Sequence, residues 1–103
     1  MFSLGPKNVR NIYAATDTIV TAAGTAVQGP DRTTTRGVVV NAPATNVGNV
    51  YIGPSTVTNV LGNERGIILV PGGMTPGVVP LENLNLLWVN ADTNGDRVCY
   101  LVL

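Results

Sequence analysis

The chain has 103 residues, of which 16 are Val, 5 Ile and 12 Thr, so about a third carry β-branched side chains that suit a pleated, half-buried surface. Twelve Gly, 11 Asn and seven Pro interrupt any long helix, and the length supports one domain whose core needs no covalent staple. Six basic residues balance six acidic ones without clustering, which excludes a nucleic-acid patch; with no His and one Cys, intrachain disulfides, zinc sites and His-based catalysis drop out.

In chain order, Phe2 and Leu4 ahead of Gly5-Pro6 make a short apolar tip before a turn, so residues 1–8 are expected to be an arm and 9–103 a single β domain. The start lacks a signal peptide's apolar run and nothing approaches a membrane span, which predicts synthesis in the cytoplasm and no membrane contact. Strands are predicted at 9–13 and 16–21, with a short one at 25–28 closed by Gly29-Pro30-Asp31. The strongest pattern runs from Thr33 to Asn41, β-branched at six of nine positions, and Val38-Val39-Val40 puts apolar groups on both faces, which predicts cover on two sides. Val50-Tyr51-Ile52 stops at Gly53-Pro54, and 39–52 reads as a strand pair joined around Pro43 to Gly48. Residues 55–66 read as a loop, with a short strand at 56–60.

Ile67-Ile68-Leu69-Val70 is an uninterrupted apolar run between Gly66 and Pro71, the pattern of a buried strand followed by an exposed loop. Pro80 demotes 77–81 to an edge or a strand end, while 84–90 is apolar in both alternating sets and predicts a strand covered on both faces. Asn94-Gly95 is a hairpin signal that joins this strand to 97–103, where Val98, Tyr100 and Val102 share one face and Cys99, Leu101 and Leu103 the other. About eight short strands at this spacing predict an all-β fold, a β-sandwich with the jelly roll among its forms; a small closed barrel is the alternative.

Candidate sites are few. Asp92, Asn94 and Asp96 alternate like calcium ligands, but the Gly is misplaced and no downstream Glu follows, so a turn is the stronger reading. Gly66, Gly72, Gly73 and Gly77 lack the Gly-Lys-Ser/Thr ending of a phosphate loop. The acids Asp17, Asp31, Glu64, Glu82, Asp92 and Asp96 sit mostly in turn contexts rather than as a catalytic pair, and Cys99 reads as a buried small hydrophobe. Trp88 with Tyr13, Tyr51 and Tyr100 offers a sugar-stacking platform, against which stands core or interface placement for Trp88. Charged residues make up 12% of the chain, against about 25% in an ordinary soluble domain, which points to a surface covered by a partner or by copies of the chain. The residues assigned to that interface are Phe2, Leu4, Arg10, Arg36, Leu87 and Val89, and no catalytic residue, metal or cofactor is expected.

The second half has a recognisable order. Val38-Val39-Val40-Asn41-Ala42-Pro43, Asn46 with Gly48, and Val50-Tyr51-Ile52-Gly53 come first; Gly66, Leu69, Pro71-Gly72, Leu84, Leu86-Leu87-Trp88-Val89, Gly95, Val98, Tyr100 and Leu101 follow. Over about residues 33–103 this resembles the small β-sandwich virion proteins of tailed bacteriophages, among them capsid decoration or cement proteins. The resemblance implies a non-enzymatic structural protein on the outer surface of a phage head. It also implies the major capsid protein as partner, a trimer as the working unit and a virion location. Tail or connector components of the virion, and carbohydrate- or receptor-binding sandwich modules, are the alternatives.

Overall fold

The computed structural model describes residues 13–60, 62 and 66–103. Seven strands occur among them: β1 (Tyr13–Ile19), β2 (Val27–Gln28), β3 (Val38–Asn41), β4 (Val50–Gly53), β5 (Ile67–Leu69), β6 (Trp88–Ala91) and β7 (Arg97–Val102). A single 3-10 turn, Leu84–Leu86, precedes β6. The β-branched composition is therefore realised as short strands and the Gly, Asn and Pro content as the connections between them.

The strands form two antiparallel sheets, ordered β1-β7-β3 and β2-β6-β4-β5. Beyond β3, the segment 74–79 continues the first sheet through antiparallel bridges of Met74 with Asn41 and Val79 with Val38. Counting that segment as a rudimentary eighth strand, the first pairs with the last, the second with the seventh, the third with the sixth and the fourth with the fifth. This is a jelly roll: one long antiparallel hairpin folded across itself into a sandwich. The predicted all-β sandwich is thus the observed fold.

Strand periodicity explains how the two layers hold together. In β7, Val98, Tyr100 and Val102 point inward and are buried, while Cys99 and Leu101 on the outer face are half-covered. They meet Val38 and Val40 of their own sheet and Val50, Ile52, Leu69, Val89 and Ala91 from the other. Burying this set is the main favourable term in folding, at about 25 cal/mol per Å² of apolar surface. Tyr100 carries a polar tip into this core, where its hydroxyl lies 2.6 Å from the Thr18 hydroxyl of β1. Burial pushes the Tyr100 hydroxyl up to about 12, although the Thr18 bond opposes the shift. The unfolded chain releases that proton near 10.0 and the folded one holds it to about 12, so stability is full below this window and falls as pH rises through it. Urea titrations on either side of the window should register a loss on the order of 3 kcal/mol from this group.

Several local expectations change once the layers are in place. The terminal hairpin predicted at Asn94-Gly95 does not form, because β6 and β7 belong to different sheets. Gly95, at φ 88, instead lets the chain cross between layers, and the crossing is docked on the end of β1 by Gly95 N to Val20 O (2.7 Å) and Val20 N to Asp96 O (2.9 Å). The pair predicted over 39–52 fails likewise, since β3 and β4 lie in opposite sheets. A turn signal fixes where the chain bends but not whether the next strand rejoins the same layer.

The long strand predicted from Thr33 shortens to β3. Three successive N–H groups, of Thr35, Arg36 and Gly37, turn to the Leu103 oxygen at 2.9, 2.8 and 3.4 Å, while the Thr34 side chain donates to the Leu81 carbonyl. The 84–90 strand begins only at Trp88, because Asn83 caps the preceding 3-10 turn: its Oδ1 accepts from Asn85 N and from Arg32 N. Residues 56–60 form no strand, and the expectation at 25–28 contracts to β2. The two strands predicted at 9–13 and 16–21 are one from Tyr13 onward, with a register irregularity between Tyr13 and Thr16. Residues 9–12 lie outside the described residues, as does the expected arm at 1–8.

Candidate functional site

Of the six residues assigned to an interface from sequence, Phe2, Leu4 and Arg10 lie outside the described residues. Arg36 is exposed beside the chain end. Leu87 and Val89 are corrected: their exposures are 5% and 0%, and both belong to the core cluster of this chain rather than to a contact between copies. The apolar run around them had suggested cover from a partner, but the opposing β1-β7-β3 sheet of the same molecule supplies it. Arg97 makes its ion pair within the chain, with Asp17 on the adjacent strand at 3.2 Å, and as an exposed pair it adds little to stability.

The other sequence candidates are tied into loops. Asp96 is buried, and its two carboxylate oxygens accept from Val47 N (2.9 Å) and Gly48 N (2.8 Å). Asp92 accepts from the Tyr51 hydroxyl at 2.9 Å, and Asn94 Oδ1 accepts from Ala23 N at 2.7 Å. These oxygens hold three separate connections instead of converging on one point, and among the described residues no group of three His, Cys, Asp or Glu is placed to hold a metal. Asp96→Asn keeps the shape but leaves a single acceptor oxygen, so one of the two backbone N–H groups faces an amide NH2 and loses its bond while the other bond loses its charge, with an expected loss of about 2 kcal/mol in urea unfolding. Of the aromatic platform, Tyr51 and Tyr100 are buried at 5% and 2% exposure and Trp88 is half-covered, while the Tyr13 side chain lies outside what the structure describes. Cys99 is half-exposed on the outer face of β7 rather than fully buried.

The strongest surface feature lies where sequence reading placed a buried strand. Among the described residues β5 is the last strand of its sheet, paired to β4 on one side only, and Ile67 and Ile68 are 43% and 45% exposed. Only Leu69 of that strand turns into the core. The chain then passes through Val70 to Gly73, where Gly73 N donates to Val70 O at 2.7 Å and Gly72 N to Ala42 O at 2.9 Å. From there it is zipped along the outer edge of β3: Thr75 N to Val40 O (2.9 Å), Val79 N to Val38 O (2.7 Å) and Val38 N to Val79 O (3.0 Å). The buried Thr75 hydroxyl accepts from Val40 N at 3.2 Å and donates to Gly77 O at 3.0 Å.

Both sheets therefore end on the same side of the sandwich, at β5 and at the 74–79 segment. Among the described residues, five of the nine exposed large hydrophobic ones fall here: Ile67, Ile68, Val70, Met74 and Val78. The whole stretch from Gly66 to Leu81 carries no charge. No family model, curated protein or solved structure matches this chain. The site must accordingly be judged on its own chemistry, which among the described residues is that of a contact surface: strand edges flanked by exposed aliphatic groups. The uncharged run of Gly, Pro and aliphatic residues was the sequence signal for it. The four-residue apolar core of that run reads equally as an interior strand, and only the sheet order shows that it stands at an edge.

Proposed function

We propose that this chain is a non-enzymatic structural protein of a virion, a decoration protein that binds the outside of a tailed-phage head and stabilises it. The observation that carries this reading is the uncharged, aliphatic side formed by β5 and 74–79, a surface suited to being covered in an assembly. The jelly-roll connectivity supports it, since this architecture recurs in viral capsid domains, although it is shared with lectins. The order of residues over 33–103 supplies the link to phage heads in particular.

Such a protein acts by linkage. It binds the assembled shell and not the dissociated subunits, so each bound copy adds its binding free energy to the cost of shell disruption. Many modest contacts are then sufficient, because copies on one lattice act together. The test is to mix the purified chain with expanded heads assembled from the major capsid protein of the phage that this reading implies, then sediment them and heat them. Co-sedimentation in stoichiometric amounts with a raised disruption temperature is the expected result. A chain that stays in the supernatant, or heads whose disruption is unchanged at saturation, would overturn the proposal.

A further inference from the structure

We infer that Asn94-Gly95 is a site of spontaneous deamidation that the folded chain holds closed. An opening of the crossing between β6 and β7 releases it, and the isoaspartate then formed keeps the crossing from docking again. This chemistry is independent of what the chain binds. The sequence sets the reactive pair: of the 11 Asn, only Asn94 is followed by Gly, and the others precede Val, Leu, Ile, Ala or Glu, whose Cβ crowds the attacking nitrogen.

In the reaction, Gly95 N gives its proton to a solvent base and attacks Asn94 Cγ. The N–Cγ bond forms, the Cγ–Nδ2 bond breaks, and Nδ2 leaves as ammonia. Water, the only co-reactant, then opens the resulting succinimide. Attack at Cγ yields aspartate; attack at the former main-chain carbonyl carbon yields isoaspartate, whose backbone runs through the old side chain and is one methylene longer.

The fold restrains both reacting groups. Gly95 N donates to Val20 O at 2.7 Å, so the proton that must leave is directed at the carbonyl of a wholly buried residue. Asn94 Oδ1 accepts from Ala23 N at 2.7 Å, which fixes the amide carbon although Asn94 itself is exposed to water. The same stretch, 20–24, grips the crossing again through Val20 N to Asp96 O (2.9 Å), Gly24 N to Ala91 O (3.3 Å) and Gly24 N to Asn90 Oδ1 (3.0 Å). Attack therefore waits for a local opening that frees Gly95 N, the same event that lets this amide exchange its hydrogen. The two products then part ways. Aspartate still offers an oxygen to Ala23 N, whereas the added methylene of isoaspartate shifts Gly95 against Val20 while Asp96 O has to meet Val20 N. Opening thus becomes irreversible through a chemical change in the open state.

The experiment incubates the full chain in one mildly alkaline buffer, folded and in guanidinium chloride, and follows every Asn by peptide mapping with mass spectrometry. In denaturant, Asn94 is expected to convert ahead of all the others. In the folded chain its rate should fall at least about tenfold, because the bonds to Val20 and Ala23 must open together. Sub-denaturing guanidinium should then raise that rate in parallel with hydrogen exchange of the Gly95 amide. Returned to native buffer, chains carrying isoaspartate should melt at a lower temperature than the wild type, whereas freshly prepared Asn94→Asp should refold and melt as the wild type does. Equal rates in the folded and denatured chain, conversion led by another Asn, a rate unrelated to Gly95 exchange, or an isoaspartate form with wild-type melting would each overturn the inference.

Discussion

Val89→Asp is expected to abolish the fold, not merely the association of copies. Val89 is wholly buried in β6, opposite Val27 of β2 on one side and Ile52 of β4 on the other. Its side chain belongs to the cluster formed with Val50, Leu69, Val98 and Tyr100, which offers an ionised carboxylate no cationic partner. An unpaired charge in such a place costs several kcal/mol even after the site relaxes or takes up a proton, against a total stability of about 5–15 kcal/mol for a domain of this kind. Circular dichroism and urea unfolding should show a chain without a cooperative β transition. A variant that keeps the β spectrum and melts normally would mean that Val89 faces outward and that the layer assignment of β6 is wrong.

Gly37→Ala is the second large effect, and its cause is backbone crowding. Gly37 has φ 140, a region that side chains rarely adopt, and a Cβ there would fall 2.0 Å from the Val79 carbonyl oxygen. That oxygen accepts from Val38 N and anchors the 74–79 segment to β3. The methyl group therefore cannot be accommodated by turning a side chain; the segment must move away from the sheet. A loss of about 3 kcal/mol or more is expected in urea unfolding, with faster hydrogen exchange in 74–79. Gly77→Ala is the matched comparison, because a Cβ at that position meets nothing within 4 Å, and it should be close to neutral. Equal losses for the two would show that Gly37 is not held in this conformation.

The two predictions bear on the candidate surface in different ways. Val89→Asp separates the core from the surface by showing which apolar strand residues the chain covers by itself. Gly37→Ala loosens one of the two strand edges that form the exposed side, and so should weaken any contact that uses Met74 and Val78 while the opposite sheet persists.

Much of the architecture was legible in the residues. The β-branched third of the chain and the spacing of its turns led to a sandwich of short strands, and the alternation in 98–102 separated the two faces of β7, though it did not say which of them is the inner one. Each of these is a local property, set by pleat geometry or by the backbone preferences of Gly, Asn and Pro. What a strand would meet across its faces was not legible. The Leu87 and Val89 run and the Ile67 to Val70 run look alike in one dimension, yet the first is interior and the second stands at an edge.

The chain's sequence by itself determined an all-β sandwich, the positions of most turns, and the absence of His, paired Cys and charge clusters that sets aside whole classes of chemistry. Only the tertiary structure decided that Asn94-Gly95 and 42–49 cross between sheets, that Leu87 and Val89 are core, and that the apolar surface lies at β5 and 74–79. The physical reason is that periodicity specifies which side of a strand is apolar, whereas burial depends on which strand lies beside it. That is fixed by long-range pairing, first strand with last and each inner pair in turn, and no local stretch of the chain encodes it.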